Sequence, residues 1–133
     1  GAIGVGAVWD ASLGSQTFLG CTQTTAVDLP TCFTNSGSEV DLYAPGAFVT
    51  SSGRGGGTSS FGGTSQATPL SAGCATALRA AFPQASLADV EAALEASPTR
   101  VIDPKNGLSF PRLDCAAAAL ILSAPIFDDG FED

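Results

Sequence analysis

The chain has 133 residues, 44% apolar and 14% charged, which fits one small packed domain rather than an extended polar tail. Its formal net charge of −8 argues against nucleic acid and against anionic membrane surfaces as partners. There is no His, so any Ser–His chemistry must take its imidazole from another segment.

The first residues, GAIGVGAV, lack the basic start of a signal peptide and read as an interior fragment rather than a native N-terminus. No apolar run reaches the roughly 20 residues of a membrane span. Ile3–Val8 mixes small and β-branched residues and predicts a short buried strand. Trp9 to Asn35 is polar and rich in Thr and Gly, and is expected to be a long surface excursion. Four Cys with no C-x-x-C and no His make a poor zinc site and suit two disulfides in an oxidising compartment. Of the three pairings, Cys21–Cys32 and Cys74–Cys115 are favoured. The first closes a loop of about 12 residues, worth roughly 3 kcal/mol on the chain-entropy account, and the second would tie two helices together. The alternative for Cys74, in an Ala-rich helix, is a buried thiol.

Val40–Tyr43 predicts a second strand, stopped by Pro45–Gly46. Phe48–Ser51 and Thr58–Phe61 flank the turn SGRGGG and predict a hairpin. Ser65–Phe82 is small and apolar on most sides, the pattern of a buried helix, and Pro83 ends it. Ser86 offers the next N-cap, with Asp89 three residues on, and Leu87, Val90 and Leu94 share one face of the helix that follows. A last helix is expected over Arg112–Leu122. Residues 124–133 form a short acidic tail outside the domain, which spans 1–123.

The chemistry concentrates in Phe61–Gly73, FGGTSQATPLSAG. A serine nucleophile needs an exposed hydroxyl at a sharp turn, a free N–H and nearby positive charge. A Gly-rich loop entering a helix N-terminus supplies all three. Gly62 and Gly63 permit tight backbone geometry, Ser65 falls in the first helical turn, and Pro69 cannot bond the carbonyl of Ser65. A plain helix cap is the simpler reading of a Ser at that place. A phosphate-binding loop is disfavoured because G-x-x-x-x-G-K-[ST] is missing, and a hydrolase elbow because Ala67 stands where G-x-S-x-G needs Gly.

Gly63-Thr64-Ser65-Gln66-Ala67-Thr68-Pro69 resembles the serine motif of the subtilases, G-T-S-x-A-x-P. Ala2–Val8 is similar to that family's buried strand after the oxyanion-hole segment, and Phe33–Gly46 resembles its F-S-x-x-G-x-x-x-D-x-x-A-P-G block. Ala72-Gly73 is similar to the small pair of the nucleophile helix, and Asn106-Gly107 with the Ala run 116–119 to the closing segment. The resemblance implies the C-terminal part of an α/β domain, with a mostly parallel sheet flanked by helices. It also implies endopeptidase action on protein or peptide substrates, with Ser65 as nucleophile and its N–H as one oxyanion donor, supported by Gly63 and Thr64. In that family the order is Asp, His, Ser, so the other catalytic blocks and the oxyanion Asn are expected upstream, in a partner half of the domain. Asp41, within the D-x-x-A-P-G block, reads as structural.

Lys105 is the only Lys, and nothing in the sequence places it near Ser65 as the base of a Ser–Lys dyad. Two other readings compete: a non-catalytic remnant serving as a binding module, and an acid protease of the sedolisin type with carboxylates in place of His. No metal ligands or cofactor are identified. Calcium is an expectation of the resemblance alone, since no D-x-[DN]-x-[DN]-G loop occurs and Asp128-Asp129 is a weak pair. The cysteines and the tail stretch Ile126–Glu132, similar to a short C-terminal motif of some exported proteins, point to a secreted, bacterial protein.

Overall fold

A computed structural model of the chain describes residues 1–124; the tail features read from the sequence, Ile126–Glu132 and Asp128-Asp129, lie outside the described residues. The centre is a parallel pair, β1 (Val5–Trp9) and β4 (Leu42–Ala47), with Val5 opposite Leu42 and Ala7 opposite Ala44. Every residue of β1 is buried. A strand covered on both faces needs apolar or small residues throughout, and VGAVW meets that demand.

The strand around Val40–Tyr43 begins at Leu42 and runs through Pro45–Gly46, where the sequence predicted a stop. Pro lacks only a donor, and Pro45 keeps its place opposite Val8 in the β1–β4 register, so the strand continues through it.

Between the two lie strands β2 (Ser15–Phe18) and β3 (Cys21–Thr24), an antiparallel hairpin inside the expected excursion. Its turn is Leu19–Gly20, with φ of 49° and 80°, the two positive angles of a tight primed turn. Trp9, expected at the start of the excursion, closes β1 instead and is 1% exposed.

After β4, β5 (Val49–Ser52) and β6 (Thr58–Phe61) form the predicted hairpin. At its tip Gly55, Gly56 and Gly57 all have φ between 79° and 91°, with open space around each. Helix α1 (Thr64–Ala81) then packs across β1 and β4, and α2 (Leu87–Glu95) follows. The Ser86 hydroxyl accepts the Asp89 N–H, and the Asp89 carboxylate accepts the Ser86 N–H, closing a capping box. A small hairpin, β7 (Arg100–Ile102) with β8 (Ser109–Pro111), precedes α3 (Cys115–Ser123), capped by Asp114. The last helix is therefore shorter than Arg112–Leu122 at its start, because Pro111 and the Arg112–Leu113 link still follow the sheet.

The two faces of the central pair carry two apolar clusters. On one, Ala7 and Leu42 meet Ala67 and Leu78 of α1 and Leu94 of α2. On the other, Val8 and Tyr43 meet Val101 and Phe110. Helices thus cover one side of the sheet and the β7–β8 hairpin the other, an α/β arrangement with flanking helices.

Cys21 is bonded to Cys32, and Cys74 in α1 to Cys115 at the start of α3.

Candidate active site

The first residues of α1 are held by glycine geometry. The N-cap is Gly63, with φ of 149°, a region that L side chains rarely adopt. Its N–H donates to the Gly46 carbonyl at 2.6 Å, which fixes the loop to the end of β4. The closeness needs a second glycine: a Cβ on Gly46 would sit 2.6 Å from the Ala7 Cβ and 2.8 Å from the Gly63 oxygen. The sheet and the loop therefore meet backbone to backbone.

Thr64 opens the helix and its carbonyl accepts the Thr68 hydroxyl at 2.9 Å. Ser65 follows, exposed. The Gly63 carbonyl takes the N–H groups of Gln66 at 3.0 Å and Ala67 at 3.4 Å. The N–H groups of Thr64 and Ser65 have no acceptor among the described residues, as expected for the first turn of a helix, whose partial positive charge they express. Pro69 lies within α1 and offers no donor to the Ser65 carbonyl. Thus the hydroxyl, the free N–H and the helix end coincide at Ser65.

A cavity of about 280 Å3 adjoins it, walled by Ser65, Gln66 and Pro69 of α1 and by Val49, Ser51 and Phe61 of the β5–β6 hairpin. Phe61 is 60% exposed and Leu70 is 41% exposed, so the wall presents apolar surface to solvent.

The other residues singled out in the sequence lie elsewhere. The Asp41 carboxylate accepts the Gly4 N–H at 2.6 Å and anchors the entry to β1, a structural duty. The Lys105 ammonium donates to the Thr34 carbonyl at 2.8 Å, so it forms no dyad with Ser65. No group of three or more His, Cys, Asp or Glu able to hold a metal occurs among the described residues. No helix among them is long and apolar enough to cross a membrane.

Two hubs escaped the sequence reading. Gln23 accepts Trp9 Nε1–H at 2.8 Å and the Cys32 N–H at 2.9 Å, and donates to the Pro30 carbonyl at 2.9 Å, binding the β2–β3 hairpin to β1. Asp103 has no exposed surface and accepts from the Ser36 hydroxyl, from Tyr43 OH at 3.0 Å and from the Lys105 N–H at 2.9 Å. Burial works against its charge, but these three bonds and the Lys105 charge outweigh it and hold the carboxyl below its usual range. Burial, reinforced by the bond to Asp103 and by its charge, pushes the Tyr43 phenol up. A single Gln or Asp in a polar stretch carries no period or spacing that would mark it as a hub.

The chain belongs to the subtilase family, whose family model matches residues 1–111. It is 50% identical over 56 residues to the subtilisin-like serine protease Pen ch 13.0101 of Penicillium rubens, an overlap of 42% of this chain and 14% of that protein. It is 45% identical over 53 residues to subtilisin-like protease 3 of Trichophyton equinum, covering 40% of this chain and 13% of that one. The matches thus span only about a seventh of those relatives' length. Among solved structures, the A-subunit of the AB5 toxin from E. coli overlays 90% of this chain and 37% of its own, with a TM-score of 0.60 at 20% identity, a likeness of fold. The curated relatives are fungal and lend no support to a bacterial source.

Proposed function

We propose that residues 1–123 are the C-terminal, nucleophile-bearing portion of the catalytic domain of a secreted serine endopeptidase, followed by an acidic tail from 124 to 133. The observation that carries this reading is the exposed Ser65 at a Gly63-capped helix start, with a free N–H and an open groove beside it. In the proposed reaction Ser65 Oγ attacks the scissile carbonyl of a bound peptide while an imidazole from another segment takes its proton. The Ser65 N–H, at the positive end of α1, stabilises the oxyanion. The amine leaves, and water then releases the acyl group from Ser65.

The chain has no His to serve as the base for that step, and its α1 helix has room for a partner. Ala72, Gly73, Thr76, Ala77 and Ala80 of α1 are exposed, a small-residue face that suits close packing against further protein. The upstream half of the same domain is the proposed cover, carrying Asp, His and the oxyanion Asn. Two disulfides are in keeping with an oxidising, extracellular setting.

The test is labelling with a fluorophosphonate, which traps an activated serine. A complete protein including the upstream segment should label at Ser65 and cleave peptides, most actively at neutral to alkaline pH if the base is His. An optimum near pH 4 would indicate a carboxylate base instead. A folded, complete protein that does not label would make this domain a non-catalytic binding module.

A further inference from the structure

The β2–β3 hairpin is remote from the serine motif in sequence, yet Phe18 reaches it. A Cβ placed on Gly62 would lie 3.0 Å from Phe18 Cε1 and 3.4 Å from the Ala47 Cβ. Gly62, three residues before Ser65, thus lies so close to the Phe18 ring and to Ala47 of β4 that a side chain there would crowd both.

The ring is itself held. Phe18 packs edge-on against Phe33 and Phe48, with centroids 5.5 and 5.2 Å away. Both of those rings stand edge-on to Trp9, at 6.3 and 5.7 Å. Trp9 belongs to β1, so an unbroken run of aromatic contacts leads from the buried sheet to the serine loop. An isolated two-stranded hairpin is marginal in water, and this one is tied down twice. Phe18 sits opposite Cys21, which is bonded to Cys32, and Gln23 bonds the hairpin to Trp9 and Pro30.

We propose that Phe18 is a positioning residue for Ser65: the hairpin fastened by Cys21–Cys32 presses its ring against Gly62 and fixes where the nucleophile loop lies. This rests on the reading of Ser65 as nucleophile. A displacement of about 1 Å at a reacting group costs on the order of 100-fold in rate, so a wall three residues away has leverage on the chemical step and little on substrate binding.

The test uses the complete protein, upstream segment included, with the variants Phe18→Ala, Phe18→Leu and the pair Cys21→Ser with Cys32→Ser. Rates are counted per titrated active site, so that loss of folded protein does not count as loss of function. Phe18→Ala should lower kcat and the fluorophosphonate labelling rate about tenfold or more, with KM within about twofold, and speed amide exchange at Gly63 about tenfold. Phe18→Leu should restore most of the rate, and the Cys pair should fall between the two. Unchanged kcat per site with unchanged exchange at Gly63 would overturn the proposal, even if the melting temperature fell. Should Phe18→Ala not fold, the same comparison is made on the Cys pair, where unchanged rate and exchange again overturn it. A wild-type protein that neither cleaves nor labels sinks the protease reading, while the exchange measurement still decides whether Phe18 holds the loop.

Discussion

The carbonyl of Gly46 accepts the N–H of Gly63 at 2.6 Å, and this bond joins the end of the central sheet to the cap of the serine helix. Neither glycine is exchangeable, for different reasons. Gly63 needs its positive φ, whereas Gly46 needs the space its missing Cβ leaves beside Ala7 and the Gly63 oxygen.

Gly46→Ala should therefore push the loop off the sheet. The expected loss is about 1–3 kcal/mol, the range for overpacking a tight interior. Urea denaturation of the complete protein measures it, and the Ser65 labelling rate should fall further than stability alone explains. A variant as stable as wild type would show that the loop yields without strain.

Ser65→Ala should abolish labelling and turnover while leaving the unfolding midpoint almost unmoved, since the side chain is exposed. Lys105→Gln should keep turnover, because the Lys105 ammonium is engaged with the Thr34 carbonyl. Activity that disappears with Lys105 while the fold survives would revive the dyad.

Stability should fade at both pH extremes through Asp103 and Tyr43. The Asp103 carboxyl is held below its unfolded value, so its contribution is full above about pH 4 and is lost as pH falls through the lowered value. The Tyr43 phenol is held above its unfolded value, so its contribution is full below about pH 10 and is lost as pH rises further. Melting curves from pH 2 to 11 should show both limbs. Asp103→Asn should flatten the acid limb and lower stability by roughly 1–3 kcal/mol, because a neutral amide satisfies the three donors less well. An acid limb that persists unchanged in Asp103→Asn would place the acid sensitivity elsewhere.

Much of the helical half was legible in the sequence because its signals are local. Ser86 with Asp89 marks the cap and Val90 and Leu94 mark the buried face, whereas Leu87, read onto the same face, is 72% exposed. The turn into the serine helix was equally readable, since Gly63 and Pro69 each have a backbone reason to be there. The strands β2, β3, β7 and β8 were not. Leu19 stands at a positive φ where Asn would be the usual sign of a turn, and a three-residue strand such as Arg100–Ile102 offers no period to detect. Pro45 misled because Pro usually ends strands; whether an edge tolerates it depends on a neighbour the local sequence does not reveal. Phe18 and Gln23 act through contacts 44 and 9 residues along the chain, at Gly62 and Cys32, and short-range patterning carries none of that.

Removing the Cys74–Cys115 bond by the double change Cys74→Ala with Cys115→Ala should cost roughly 3–4 kcal/mol on the chain-entropy account, since the sequence separation is 41. Calorimetry of the oxidised wild type and the double variant gives the difference. Turnover per active site should hold, because the bond meets α1 well past its first turn, where Ser65 lies. A proportionate fall in both quantities would mean that α3 also steadies the catalytic end.

The tip of the β5–β6 hairpin is the natural splice point for an engineer. Gly55, Gly56 and Gly57 face open space, so side chains placed on them would meet strain from the backbone and no obstruction. A longer insert that abandons the tight turn escapes that strain, and each doubling of loop length costs only about 0.6 kcal/mol. A reporter peptide or affinity handle grafted there would extend from the far end of the hairpin whose strands wall the groove beside Ser65.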